Sequence, residues 1–155
     1  MTHLAALVLV WMVHLQNPNL LTPEWAASYI ETAQEIANAS EVRPLSVGPT
    51  MTAAILTITA FRESHFNPNP CTEKWDCDHG ASLGRWQTWH KWGPPTAETA
   101  LWVMEKSFEI CRHHPLDERL SWYAAGNSGC ERRNELSRAR MRAAKELVES
   151  VKEPM

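Results

Sequence analysis

Residues 48–64, GPTMTAAILTITAFRES, decide the fold. Gly48-Pro49-Thr50 opens a helix, with proline at a first-turn position where its missing N–H costs nothing. Met51, Ala54, Ile55, Ile58 and Phe61 then recur at three- and four-residue spacing, so that face is predicted to be buried. Glu63 falls at the C-terminal end of this apolar helix. A carboxyl group there loses hydration, which disfavours its charged form. A glutamate so placed can stay protonated and give its proton to a leaving oxygen. Taken alone, a glutamate at a helix end is more commonly an exposed charge or a cap partner.

Helical signals continue on both sides. Upstream, Asn17-Pro18-Asn19 breaks the chain, and Thr22, Pro23 and Glu24 supply an N-cap, a first helical residue and a first-turn acid. The predicted helix covers residues 23–38, with Trp25, Ile30 and Ile36 among its apolar side chains. Downstream, Pro94-Pro95 interrupts, after which Ala97, Leu101, Met104, Phe108 and Cys111 mark one face of a helix over residues 96–112. Asp117 can cap a short helix carrying Leu120, Trp122 and Tyr123. Residues 126–129 read as a turn and residues 131–151 as a last helix. Residues 64–81 are loop-like, and no period-two run is long enough for a central strand. The expected fold is all-α, with one long irregular loop and at most a minimal β-hairpin within residues 71–90.

Residues 4–13, LAALVLVWMV, form a ten-residue apolar run preceded by no Lys or Arg. It is about half the length needed to span a bilayer. Its length fits the core of an export signal, but no basic n-region precedes it and no A-x-A site follows. Two alternatives stand: a signal or anchor, or a helix packed on the domain. The chain thus divides into an N-terminal apolar segment, 1–21, and a domain, 22–155.

A chain of 155 residues with 44% hydrophobic and 21% charged residues suits a folded globule and excludes a largely disordered protein. The net charge of -3 disfavours a nucleic-acid partner. Residues 131–155 are locally basic, with Arg132, Arg133, Arg138, Arg140, Arg142 and Lys145, and read as a solvated face with ion pairs to acids such as Glu131 and Glu135. No phosphate-cradling glycine motif occurs. The aspartates are Asp76, Asp78 and Asp117 alone, so a paired-aspartate site is hard to build. His65, Cys71, Cys77 and His79 have spacings that fit no standard zinc site, and neither metal nor cofactor is expected. The four cysteines permit three pairings; the spacing favours Cys71–Cys77 and Cys111–Cys130, hence an oxidising compartment, against four reduced thiols.

The segment 60–87, AFRESHFNPNPCTEKWDCDHGASLGRWQ, carries the chemistry. Glu63-Ser64 is followed by Phe66, then by Asp78, Gly80, Ser82, Gly84 and Gln87 in a D-x-G-x-S-x-G-x-x-Q pattern, then by Tyr123-Ala124-Ala125-Gly126. In this order the three elements resemble the soluble lytic transglycosylase and goose-type lysozyme superfamily, in the form seen in exported bacterial and phage members. The resemblance covers residues 50–147. It departs at Ala124, where the family has Asn, and at Arg85-Trp86, where it has Leu-Met.

The resemblance implies a lysozyme-like fold, one catalytic acid and a peptidoglycan substrate. Glu63 would protonate the glycosidic oxygen between N-acetylmuramic acid and N-acetylglucosamine, with the substrate's N-acetyl group supporting the cationic centre. As base, Glu63 would then give a 1,6-anhydro product, or a hydrolysed one if water enters. Asp78 would position that water or support the loop. Tyr123 would bond Glu63 or substrate, and Ser82 and Gln87 would line the groove. Trp86, Trp89 and Trp92, spaced by three, would lie near one helical face, stacking on sugars or packing the core. Glycan strands are the expected partner of a monomeric protein outside the cytoplasm, in periplasm or medium. Membrane contact is assigned to residues 4–13 alone. The alternatives are a non-catalytic wall-binding module with the same fold, and a helical interaction protein with coincidental motifs.

Overall fold

The computed structural model describes residues 1–16, 22–68, 82–126 and 129–151. The fold is all-α. Its helices are α1 (His3–Leu15), α2 (Pro23–Val42), α3 (Pro49–Ser64), α4 (Ala97–Ile110), α5 (Ser121–Ala124) and α6 (Asn134–Ser150). A two-stranded antiparallel hairpin, β1 (Ser82–Leu83) and β2 (Thr88–Trp89), pairs Ser82 with Trp89 and Leu83 with Thr88. Single 3-10 turns follow at His90–Trp92 and Leu116–Glu118.

α3 is the axis of the molecule. Every residue from Thr52 to Ala60 is buried, on all sides rather than on one face. Helix α3 packs against α1, α2, α4 and α6. Two of its buried threonines turn their hydroxyls back to the helix: Thr57 Oγ1 donates to Ala53 O at 2.8 Å and Thr52 Oγ1 to Gly48 O at 2.7 Å; Thr59 Oγ1 has no partner among the described residues. A helix apolar all round belongs in the middle of a core.

The end of α3 fixes the later argument. His65 and Phe66 both adopt left-handed backbone, with φ of 51° and 63°. The Phe66 N–H then reaches Ala60 O and the His65 N–H reaches Phe61 O at 2.9 Å, closing the helix. Left-handed non-glycine residues cost about 1–3 kcal/mol each. The buried Phe66 ring offsets this by packing edge-on to Tyr29 at 5.5 Å and tilted against Phe61 at 5.6 Å.

In α2 Tyr29 and Ile36 are buried whereas Ile30 is exposed, and the helix runs beyond residue 38 to Val42. α1 buries Leu4, Ala5, Val8, Trp11 and Met12 in the same core as the rest of the chain. Among the described residues no helix is long and apolar enough to cross a membrane. Cys111, capping α4, is bonded to Cys130, just ahead of α6, across 19 residues of sequence. Cys71 and Cys77 lie outside the described residues.

Two outcomes follow. Trp11→Ala lowers the unfolding free energy by about 3–5 kcal/mol in urea titration; α1 appended as a loose leader predicts no change. Cys111→Ser with Cys130→Ser lowers it by about 3 kcal/mol, from the lost loop constraint.

Candidate functional site

Glu63 occupies the last turn of α3, the first place where that buried helix meets solvent. Its carboxylate Oε1 accepts a hydrogen bond from Arg140 Nη2 of α6. The pair is asymmetric: the Glu63 side chain is 27% exposed and that of Arg140 5%. Arg140 Nε and Nη1 are buried without a hydrogen-bond partner among the described residues. A guanidinium this deep is tolerated only with a counter-charge, and among the described residues Glu63 supplies it.

Tyr123 joins from α5. Its ring lies under the Arg140 guanidinium, with the Cζ 5.9 Å from the ring centre. Its hydroxyl donates to Trp86 O at 2.7 Å. Its backbone N–H donates to Ser107 Oγ at 3.0 Å, and Ser107 Oγ donates to Arg119 O, so α5 is fastened to α4. Burial holds the Tyr123 phenol above the ordinary range; Arg140 opposes the shift and Glu63 adds to it.

The hairpin turn completes the surroundings. Trp86 Nε1 donates to Leu56 O in the middle of α3 at 2.9 Å. Arg85 Nε donates to Phe66 O at 3.2 Å and its Nη2 to Ser28 Oγ at 3.1 Å, tying the turn to the end of α3 and to α2. Burial lowers the Arg85 pKa, partly countered by Glu35 and Glu31. Gly84 has φ +71°, and a Cβ there would sit 2.5 Å from Pro95 Cβ, so no other residue fits without displacing the chain. Gln87 Nε2 donates to Gly84 O at 2.8 Å, closing the same turn.

The structure therefore gathers Glu63, Arg140 and Tyr123, with Trp86 and Gln87 on the turn to which Tyr123 is bonded. Three expectations need correction. Tyr123 donates to a backbone carbonyl rather than to Glu63, and its link to Glu63 runs through Arg140. Trp86 does not offer a ring to a sugar: it is 1% exposed, with its indole N–H spent inside the core. Trp86, Trp89 and Trp92 share no helical face, because a tight turn, a strand and a 3-10 turn carry them. Ser82 sits in β1 opposite Trp89. Asp78 lies outside the described residues.

No family model, curated protein or solved structure matches this chain. The site's meaning therefore rests on its own geometry.

Sequence reasoning placed Arg140 on a solvated face, and the structure overturns this. Helix α6 buries Ser137, Arg140, Met141, Ala144 and Leu147, a stripe at three- and four-residue spacing that includes the arginine. That position within an apolar stripe was the available signal. Arg138, by contrast, reaches Glu118 at the edge of the structure, with 2.6 Å between Nη1 and Oε1.

The Tyr123 shift carries a pH prediction. A phenol whose folded pKa is raised keeps its proton after the unfolded chain has lost its own. Its contribution is complete below about pH 10 and is lost as pH rises through the folded value. Tyr29 is shifted the same way by burial. In an alkaline titration, tyrosinate absorbance is expected to rise together with loss of helical circular dichroism; ionisation of both tyrosines in a fully helical protein contradicts this burial.

Proposed function

We propose that the protein cleaves the β-1,4 bond between N-acetylmuramic acid and N-acetylglucosamine in peptidoglycan, with Glu63 as the only acid/base. The observation that carries the reading is the setting of Glu63: a partly exposed carboxyl group at the end of a buried helix, held by a buried guanidinium next to Tyr123. These two residues come from separate elements, and Tyr123 is one that the motif resemblance names.

The roles follow from the chemistry. In the free protein Glu63 is the counter-ion of Arg140, so it takes up a proton from solvent as the strand binds before giving it to the glycosidic oxygen as the C–O bond breaks. The carboxylate left behind faces Arg140, whose positive charge favours it. The substrate's acetamido oxygen supports the cationic sugar carbon. Glu63 then takes a proton from the muramoyl C6 hydroxyl, closing the 1,6-anhydro ring, or from water, giving a reducing end. One carboxyl group suffices because the substrate supplies the second nucleophilic group. Gln87 and Ser82 line the approach, and Asp78 supports the loop or positions the water. The Cys111–Cys130 bond supports action outside the cytoplasm.

A second reading is favoured by the same pair: a glutamate already bonded to a buried arginine also suits a wall-binding module that does no chemistry. Mass spectrometry of digested peptidoglycan separates the two. The wild-type chain is expected to release soluble muropeptides with anhydromuramic or reducing ends. Glu63→Gln keeps an acceptor for Arg140 and is expected to slow release by about 10²–10⁴-fold, assayed below its unfolding midpoint. Undiminished release by the variant removes Glu63 as the acid, and sedimentation with the wall without any release by the wild type leaves the binding module.

A further inference from the structure

Trp89, Trp92 and Trp122 form a continuous aromatic row. The Trp89 and Trp92 rings meet edge to face at 5.8 Å and 89°. Trp92 and Trp122 stack at 6.2 Å with 24° between their planes. The row is not part of the core: Trp89 is 37% exposed, and Trp92 and Trp122 are each partly exposed. Trp102 is equally exposed but makes no ring contact among the described residues.

Two segments about thirty residues apart build the row, and each adjoins in sequence a residue grouped with Glu63 above. Trp122 directly precedes Tyr123. Trp89 follows Gln87 by two residues. The Tyr123–Trp86 hydrogen bond locks the two segments together, and Gly93, at φ +140° with Thr99 Oγ1 only 3.2 Å from where a Cβ would stand, turns the chain into α4. The row is thus rigid before any ligand arrives. Lys91 Nζ lies 5.1 Å from the Trp89 ring centre.

A rigid, partly wet run of indoles with Lys91 beside Trp89 suits a polymer of pyranose rings. The C–H faces of such sugars carry slight positive charge and stack on the negative faces of aromatic rings, while their hydroxyls stay hydrated. Contiguous exposed aromatic surface of this kind marks a binding site more often than chance. We infer that Trp89, Trp92 and Trp122 form a platform on which a β-1,4-linked N-acetylhexosamine strand lies, one end of the platform delivering it to Glu63. This rests on the reading of Glu63 as acting on a glycan and adds the surface that holds the strand.

The test uses the full chain carrying Glu63→Gln, so that no turnover occurs, and a hexamer of β-1,4-linked N-acetylglucosamine as probe. Indole ¹⁵N–¹H resonances are followed during titration, on the wild-type chain at low temperature if the variant is too unstable. The expected result is saturable shifts at Trp89, Trp92 and Trp122, with the buried Trp86 indole unmoved. Trp92→Ala and Trp122→Ala, each checked for an intact thermal transition, are expected to weaken binding by about 3–10-fold. No shift at the three indoles, or shifts confined to Trp102, overturns the platform. Muropeptide release by the wild type with silent indoles overturns the platform and leaves cleavage standing. Shifts without any release keep the platform and remove the catalytic reading.

Discussion

A guanidinium buried to 5% exposure must find an anion, and Arg140 finds Glu63. Taking both charges from water costs several kcal/mol per ion, recovered only when the partners stay in contact. The contact therefore fixes where the end of α3 lies relative to α6. It also places a carboxyl group at a defined point on the surface, with the Tyr123 ring under the guanidinium that holds it. Among the described residues Arg140 Nε and Nη1 have no hydrogen-bond partner, so the contact with Glu63 is not shared there with a second acceptor.

The rest of the molecule holds this contact in place. α3 is enclosed along nine residues and stops abruptly through two left-handed residues, which brings Glu63 out of the core within one turn of its last fully buried stretch. The hairpin turn is pinned to α3 by Trp86 and to α2 and Phe66 by Arg85. The Cys111–Cys130 bond closes the segment that carries Tyr123 between α4 and α6. Each fastening acts on a short element that could not hold a position alone: a two-residue strand pair and a four-residue helix have too little surface for independent stability.

Most of the fold was legible because periodicity and punctuation agree. Pro23 and Pro49 open α2 and α3 where the sequence indicates, and the apolar spacing of Ala97, Leu101, Met104 and Phe108 marks the buried face of α4. Periodicity understated α3, since threonines read as polar, whereas Thr52 and Thr57 turn their hydroxyls back to Gly48 O and Ala53 O and so sit inside the core. In α2 aliphatic character does not separate the buried Ile36 from the exposed Ile30, nor show that Tyr29 meets Phe66. In the site, Glu63 and Tyr123 were readable from motif order, whereas Arg140 was not: charge alone suggested solvent, and only its place among Ser137, Met141 and Ala144 indicates burial. For Trp86 the sequence leaves sugar stacking and core packing both open, and the turn at residues 84–87 points it inward.

The most direct measurement is a double-mutant cycle on Glu63 and Arg140 by denaturant unfolding. Glu63→Gln strands a buried cation and is expected to cost about 3–5 kcal/mol. Arg140→Met strands only a partly hydrated carboxylate and is expected to cost less. The double substitution is expected to recover stability relative to Glu63→Gln alone, with a coupling of at least about 1 kcal/mol. Effects that add to within about 0.5 kcal/mol would show that the two side chains do not depend on each other and would contradict the account.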